Sequence, residues 1–228
     1  MPSDAQNAKL RWEENNLPVS ARFDDPYYSR DDGLAECRYV FLEGNNLAMR
    51  IASVSDGFEI AELGFGTGLN VIAALHLWRS IPTRGVLRIT TFEKYPLNVS
   101  EMKRALSRWP EIMPLAEELL EHWPSRQIDL PDAVLTVLEG DVAQTLPTWS
   151  GRADAWFLDG FAPSRNPEMW SSAVLGQVGV HTKTDGSFAT YTAAGAVRRG
   201  LQSAGFRVEK RSGFGSKREM LVGTKGQT

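Results

Sequence analysis

The residues best equipped for chemistry in this sequence are a run of alternating glycines and a few acids that close short apolar stretches. Glu62-Leu63-Gly64-Phe65-Gly66-Thr67-Gly68-Leu69-Asn70 places glycine at three alternate positions. Glycines so spaced remove side chains that would block a ligand, and permit the positive φ angles of a tight strand-to-helix turn. Glu93 follows the next apolar run, where a carboxylate can accept both hydroxyl protons of a ribose, and Lys94 adjoins it. Asp141 follows the run after that; it can accept from an adenine amino group while the backbone N–H of Val142 donates to the ring. Asp159 opens the stretch Asp159-Gly160-Phe161-Ala162-Pro163-Ser164-Arg165-Asn166-Pro167-Glu168-Met169-Trp170. A carboxylate there can accept the hydrogens of an amine, point its lone pair at near-attack distance, and take the surplus proton. Phe161 can pack on a flat base, and Pro163 and Pro167 stiffen the rim. Each has a plainer alternative: Asp159 as a turn or helix cap, Glu93 and Asp141 as loop acids, Phe161 and Trp170 as core.

Three ligand classes compete for the glycine run. A phosphate-gripping loop needs Gly-Lys-Ser/Thr at the helix start, and Leu69 follows Gly68 here. A dinucleotide fingerprint beginning at Gly64 needs glycine at position 69, so it is only partly met. The third form, E-x-G-x-G-x-G, resembles motif I of class I S-adenosylmethionine-dependent methyltransferases, whose cofactor has no pyrophosphate to seat on the helix end. Glu62, Gly64, Phe65, Gly66, Thr67, Gly68, Asn70, Glu93, Lys94, Asp141 and Val142 are therefore the expected cofactor contacts.

Composition narrows the remaining classes. The 228 residues are 42% hydrophobic and 23% charged, ordinary for one globular domain with a full core. No apolar run approaches the roughly 20 residues of a membrane span, and Met1-Pro2-Ser3-Asp4-Ala5-Gln6 lacks the basic-then-apolar pattern of a signal peptide, which predicts a cytoplasmic protein. One cysteine, Cys37, forbids an intrachain disulfide, and with His76, His122 and His181 scattered no metal site is expected. Net charge is −3, but nine Lys or Arg stand against three acids from His181 onward, a net +6, while the preceding 180 residues carry 16 basic against 25 acidic. That asymmetry permits a phosphate-facing basic edge, or equally a solvated basic surface.

The elements positioning these residues alternate. Phe58–Leu63, 87–92, 133–138, 153–158 and 186–191 read as strands, and Leu69–Trp78 and 193–204 as helices. Residues 97–123 read as helical with breaks at Pro110 and Pro114, and a helix is expected after Pro167. Phe206–Lys210 and 218–222 read as a closing antiparallel pair, and Ala35–Ile51 as a strand-turn-strand hairpin about Gly44-Asn45-Asn46. The prediction is an α/β, Rossmann-like fold: about seven mostly parallel strands with an antiparallel terminal strand, ligand-binding at the strand carboxyl ends. Residues 1–55 would form an N-terminal extension with a β-hairpin, and 56–228 the catalytic unit.

Across nearly its whole length the sequence resembles the methyltransferase domain of MnmC-type enzymes, including stand-alone MnmD-like forms. The matching runs are Phe23-Asp24-Asp25-Pro26-Tyr27-Tyr28-Ser29, Tyr39-Val40-Phe41-Leu42-Glu43-Gly44-Asn45, the glycine run, Asp159–Trp170, and Gly213-Phe214-Gly215-Ser216-Lys217-Arg218-Glu219-Met220-Leu221. The resemblance implies methyl transfer from S-adenosylmethionine to the amine of 5-aminomethyl-2-thiouridine at the tRNA wobble position, leaving S-adenosylhomocysteine. It implies tRNA, through its anticodon stem-loop, as partner, and an upstream enzyme supplying the amine. Bifunctional members add an FAD-dependent oxidase; with few residues after Leu221, a monofunctional chain without FAD is expected. By position, Asp159 would orient the amine, and Asp25, Tyr28 and Ser29 would fold over the cofactor or merely cap the domain. Phe161, Pro163 and Asn166 would flank the acceptor, and Lys217 and Arg218 would meet phosphates or remain a solvated turn. Other readings are a class I enzyme acting on another amine, or a non-catalytic cofactor- or RNA-binding module.

Overall fold

Short apolar strands alternating with helices assemble an eight-stranded sheet in the computed structural model, which describes residues 9–82 and 85–226. The six N-terminal residues on which the signal-peptide expectation rests lie outside the described residues. The chain begins with three short antiparallel strands, β1 (Leu10–Glu13), β2 (Leu17–Ser20) and β3 (Asp25–Pro26). These make the small N-terminal antiparallel layer, but not where the sequence placed it. Residues 35–51 are helical on both sides of a turn at 44–46 rather than strands: α1 (Gly33–Cys37) runs into a π-helical stretch, Arg38–Glu43, and α2 (Leu47–Ala52) follows the turn. Leu34, Cys37, Phe41, Leu47 and Ile51 are all buried, so the apolar run closes a helical layer over the sheet.

The main sheet then forms in the expected alternation: β4 (Gly57–Leu63), α3 (Leu69–Ser80), β5 (Val86–Glu93), α4 (Val99–Leu106) and α5 (Met113–Leu120). Next come β6 (Gln127–Asp129), β7 (Ala133–Glu139), α6 (Val142–Thr145), β8 (Ala153–Leu158), α7 (Ser172–Val180), β9 (Thr182–Thr190), α8 (Gly195–Ser203), β10 (Phe206–Ser212) and β11 (Glu219–Lys225). Strand order is β10-β11-β9-β8-β4-β5-β7-β6. The β9-β8-β4-β5-β7 centre is parallel, while β11 enters antiparallel beside β9 and β10 pairs back on it, as expected. The eighth strand, β6, is three residues long and antiparallel to β7, too short to leave a readable pattern.

Two local signals set the helix starts. Asn98 and Glu101 form a reciprocal capping box on α4, and Ser171 caps α7 through the N–H of Val174. Pro114 does not break the chain as expected; it sits in the first turn of α5, where the missing N–H would have no intrahelical partner. Burial alternates along the strands: Phe58 and Ile60 face the α1–α3 layer, Ala61 and Leu63 the α7–α8 layer. Glu62, in step with Phe58 and Ile60, therefore points beneath α3.

Candidate active site

From β4 the chain goes to β5 and β7 on one side, while β8 and β9 lie on the other, so the sheet reverses order between β4 and β8. Ligands of open α/β sheets lie in the crevice at such a point. The four central strand ends are tied by their backbones: the N–H of Gly64 donates to Phe92 O (3.0 Å), that of Gly140 to Glu93 O (2.8 Å), and that of Asp159 to Leu63 O (3.2 Å). A cavity of about 770 Å³ opens over them.

The glycine run forms one wall. Gly64 has φ +88°, and a Cβ there would stand 2.3 Å from the backbone oxygen of Asp159. Gly66 has φ +54°; its N–H donates to Glu93 Oε2 (3.0 Å), and a Cβ would press on the Tyr27 ring at 3.1 Å. Only glycine allows this approach of loop, β8 end and N-terminal segment. Gly68 starts α3 and does not line the cavity.

Glu93, Lys94, Asp141 and Val142 line the end of the cavity above β5 and β7. Glu93 accepts from the N–H of Gly66 and, at 2.7 Å, of Tyr95. Burial pushes its acidity down, and these backbone N–H groups partly restore it. Asp141 pairs with Lys94 at 2.7 Å and caps α6 through the N–H of Ala143, which holds its carboxyl below the usual range. The sequence reading missed both engagements.

Asp159 marks the other end. Its Oδ2 accepts from Asn70 Nδ2 at 2.6 Å, and the same nitrogen donates to Glu62 Oε1 at 3.0 Å. Burial pushes the Asp159 carboxyl up to about 7; Asn70 opposes the shift, and Glu36 and Asp25 add to it. The Asp159–Trp170 stretch is pinned from three directions. Asp25 Oδ2 accepts from the N–H of Ala162 (2.8 Å), the Tyr191 hydroxyl donates to Gly160 O (2.7 Å), and Trp170 Nε1 donates to Phe161 O (2.8 Å).

The N-terminal segment covers this end. Phe161 stacks on Phe23 (4.7 Å between centroids) and meets Tyr27 edge-on (5.1 Å). Phe23 and Tyr27 line the cavity although no role was predicted for them; their shared partner Phe161 is more than 130 residues away, beyond any local pattern. Tyr28 and Ser29 also line it, but the Tyr28 hydroxyl is committed to Asn16 O and Ala105 O. Phe65, Thr67, Asn70, Asn166 and Lys217 also line the cavity. Glu62 lies sealed beneath it, and Pro163 and Arg218 fall outside. Lys217 is paired with Glu36 at 2.7 Å and lies over the Tyr191 ring, so its charge is already partnered.

This donor set suits an adenosyl sulfonium ligand: two carboxylates at the ends of β5 and β7, a glycine wall between, and aromatic rings with carboxylates where a cation would sit. No group of three or more His, Cys, Asp or Glu that could hold a metal ion occurs among the described residues. No helix among them is long and apolar enough to cross a membrane.

Comparison with known proteins agrees. A family described as S-adenosyl-L-methionine-dependent methyltransferase matches residues 110–226. The tRNA 5-methylaminomethyl-2-thiouridine biosynthesis bifunctional protein MnmC of Caulobacter vibrioides is 50% identical over 220 residues, covering 93% of this chain and 37% of that protein. Its Pseudomonas aeruginosa counterpart is 44% identical over 232 residues, covering 97% and 36%. The chain thus spans little more than a third of the length of these relatives. The crystal structure of MNMC2 from Aquifex aeolicus superposes with a TM-score of 0.80 at 23% identity, covering 99% of this chain and 74% of the other, and so shares the fold.

Proposed function

Because the chain belongs to the S-adenosyl-L-methionine-dependent methyltransferase family, we propose that it methylates the amino group of 5-aminomethyl-2-thiouridine at the tRNA wobble position, forming 5-methylaminomethyl-2-thiouridine. The observation that carries the chemistry is Asp159, a half-buried carboxylate at the order reversal, against the glycine wall. The substrate is inferred from the relatives, whose names specify this nucleoside.

S-adenosylmethionine, when bound, supplies an electrophilic methyl on its sulfonium. Glu93 would accept from the ribose hydroxyls, and Asp141 with the Val142 N–H would meet the adenine edge. Gly64, Phe65, Gly66 and Thr67 would form the wall along the methionine portion. Asp159 would accept a hydrogen of the acceptor amine, turn the nitrogen lone pair toward the methyl, and receive the proton released as the nitrogen–carbon bond forms and the methyl–sulfur bond breaks, the neutral thioether S-adenosylhomocysteine being the leaving group. A group poised near neutrality is suited to that exchange. Phe161 and Asn166 flank the acceptor, and Asp25, Tyr27 and Phe23 exclude water from the closed end.

Residues 56–228 would form the catalytic unit and 1–55 its N-terminal extension, of which described residues such as Phe23, Asp25 and Tyr27 cover the site. The partner is the tRNA anticodon stem-loop, approached in the cytoplasm, and an upstream reaction must deliver the primary amine. The test is transfer of labelled methyl from S-adenosylmethionine to tRNA bearing the aminomethyl nucleoside. Incorporation that disappears when the tRNA is first digested with ribonuclease supports the proposal. Incorporation into small amines or proteins instead moves the assignment to another acceptor, and cofactor binding without transfer moves it to a non-catalytic role.

A further inference from the structure

Asn70 joins two carboxylates with one nitrogen: Nδ2 stands 3.0 Å from Glu62 Oε1 and 2.6 Å from Asp159 Oδ2. Two acceptors at one end of the amide fix which end is nitrogen, and both of its N–H groups are consumed. The two carboxylates differ in everything else. Asp159 lines the cavity, and among the described residues its Oδ1 accepts no hydrogen bond. Glu62 has no exposed surface, and its Oε2 is enclosed without a partner. Thr91, its in-register neighbour on β5, is also fully buried with an unpaired hydroxyl. A charged carboxylate sealed from water, with no more than one neighbouring hydroxyl to serve its outer oxygen, is far costlier to bury than a neutral acid in the same place.

We infer that Asn70 is a positioning residue that divides the roles of this pair: Glu62 is a permanently neutral acid, and the single negative charge the bridge supports resides on Asp159, facing the acceptor. The inference rests on the reading of Asp159 as the acceptor-facing carboxylate. Were Glu62 charged, two anions would share one amide and Asp159 would hold its proton too tightly to receive an amine hydrogen bond as a base. With Glu62 neutral, Asn70 stabilises the ionised form of Asp159 alone. The other titratable groups facing Asp159 are Glu36 and Cys37 of α1, Asp25 of β3, Tyr191 after β9, and Lys217 in the turn between β10 and β11. None of these reaches Glu62 or Asn70 by a hydrogen bond among the described residues, so the bridge can be varied separately.

The experiment is an infrared pH titration of the protonated-carboxyl band in the cofactor-free protein, with Asp159→Asn and Glu62→Gln assigning the two signals by their loss. One signal, lost in Asp159→Asn, should titrate near neutrality. The other, lost in Glu62→Gln, should persist at every pH at which the fold survives. Asn70→Ser should move the Asp159 midpoint upward. Glu62→Gln should leave it in place, because one neutral group replaces another, and this near-isosteric variant keeps the test available if Asn70→Ser does not fold. A Glu62 signal that titrates, an Asp159 midpoint that falls in Glu62→Gln, or one unmoved in Asn70→Ser overturns the inference. No tRNA or amine is present, so this outcome is independent of whether the wobble nucleoside is the substrate.

Discussion

The carboxylate of Asp25 accepts a hydrogen bond from the backbone N–H of Ala162, 2.8 Å away and 137 residues later in the chain. It fastens the N-terminal segment to the stretch that carries Asp159, with Phe23 and Tyr27 closing on Phe161 beside it. Hydrogen bonds to charged groups contribute about 1.5–3 kcal/mol. Asp25→Ala should therefore weaken cofactor binding about tenfold, measured by calorimetry. Unchanged affinity would show that the segment covers the site without contributing to it.

Glu93→Ala should raise the cofactor dissociation constant by about tenfold or more, for two reasons. It removes the proposed ribose acceptor, and it leaves the N–H groups of Gly66 and Tyr95 without their partner, at about 1–3 kcal/mol for each that stays buried. An unchanged constant contradicts the ribose assignment.

Asp159→Ala should separate chemistry from binding. Loss of a positioned acid–base group costs about 10²–10⁴-fold in rate. Turnover should fall within that range while cofactor affinity stays within a few-fold of the parent. Equal turnover in variant and parent removes Asp159 from the mechanism.

The same residue gives stability a defined pH dependence. In the folded chain burial raises the Asp159 carboxyl to about 7, against 3.8 for an unperturbed aspartate. Between those values the folded state binds more protons than the unfolded one, so stability falls as pH rises. Asp159→Asn abolishes this contribution, while Glu59, also raised by burial to about 7, acts equally in both proteins. The melting temperature of the variant minus that of the parent should grow from about pH 4 to about pH 8. A constant difference contradicts an elevated Asp159.

The parallel strands and the glycine turn were legible because one short apolar run after another ended at a residue of distinctive type: Gly64, Glu93, Asp141, Asp159. Residues 35–51 misled, because Cys37–Leu42 is rich in β-branched and aromatic residues; the turn read at Gly44-Asn45-Asn46 is present, but it joins helices rather than strands. Leu34, Cys37 and Phe41 carry the helical spacing that prevailed once the layer packed on the sheet. The antiparallel N-terminal strands are four residues or fewer, below what alternation can establish. At the site, residue types could be read but engagements could not. That Lys94 holds Asp141, that Glu36 holds Lys217, and that Asn70 bridges Glu62 and Asp159 are consequences of packing between distant elements.

The measurement that bears most directly on the central claim is nucleoside mass spectrometry after incubating the purified chain with S-adenosylmethionine and tRNA carrying 5-aminomethyl-2-thiouridine, with carboxymethylaminomethyl tRNA in parallel. Conversion of the aminomethyl nucleoside alone to its methylamino form is the predicted result. Failure to convert it, by protein shown separately to bind the cofactor, contradicts the account.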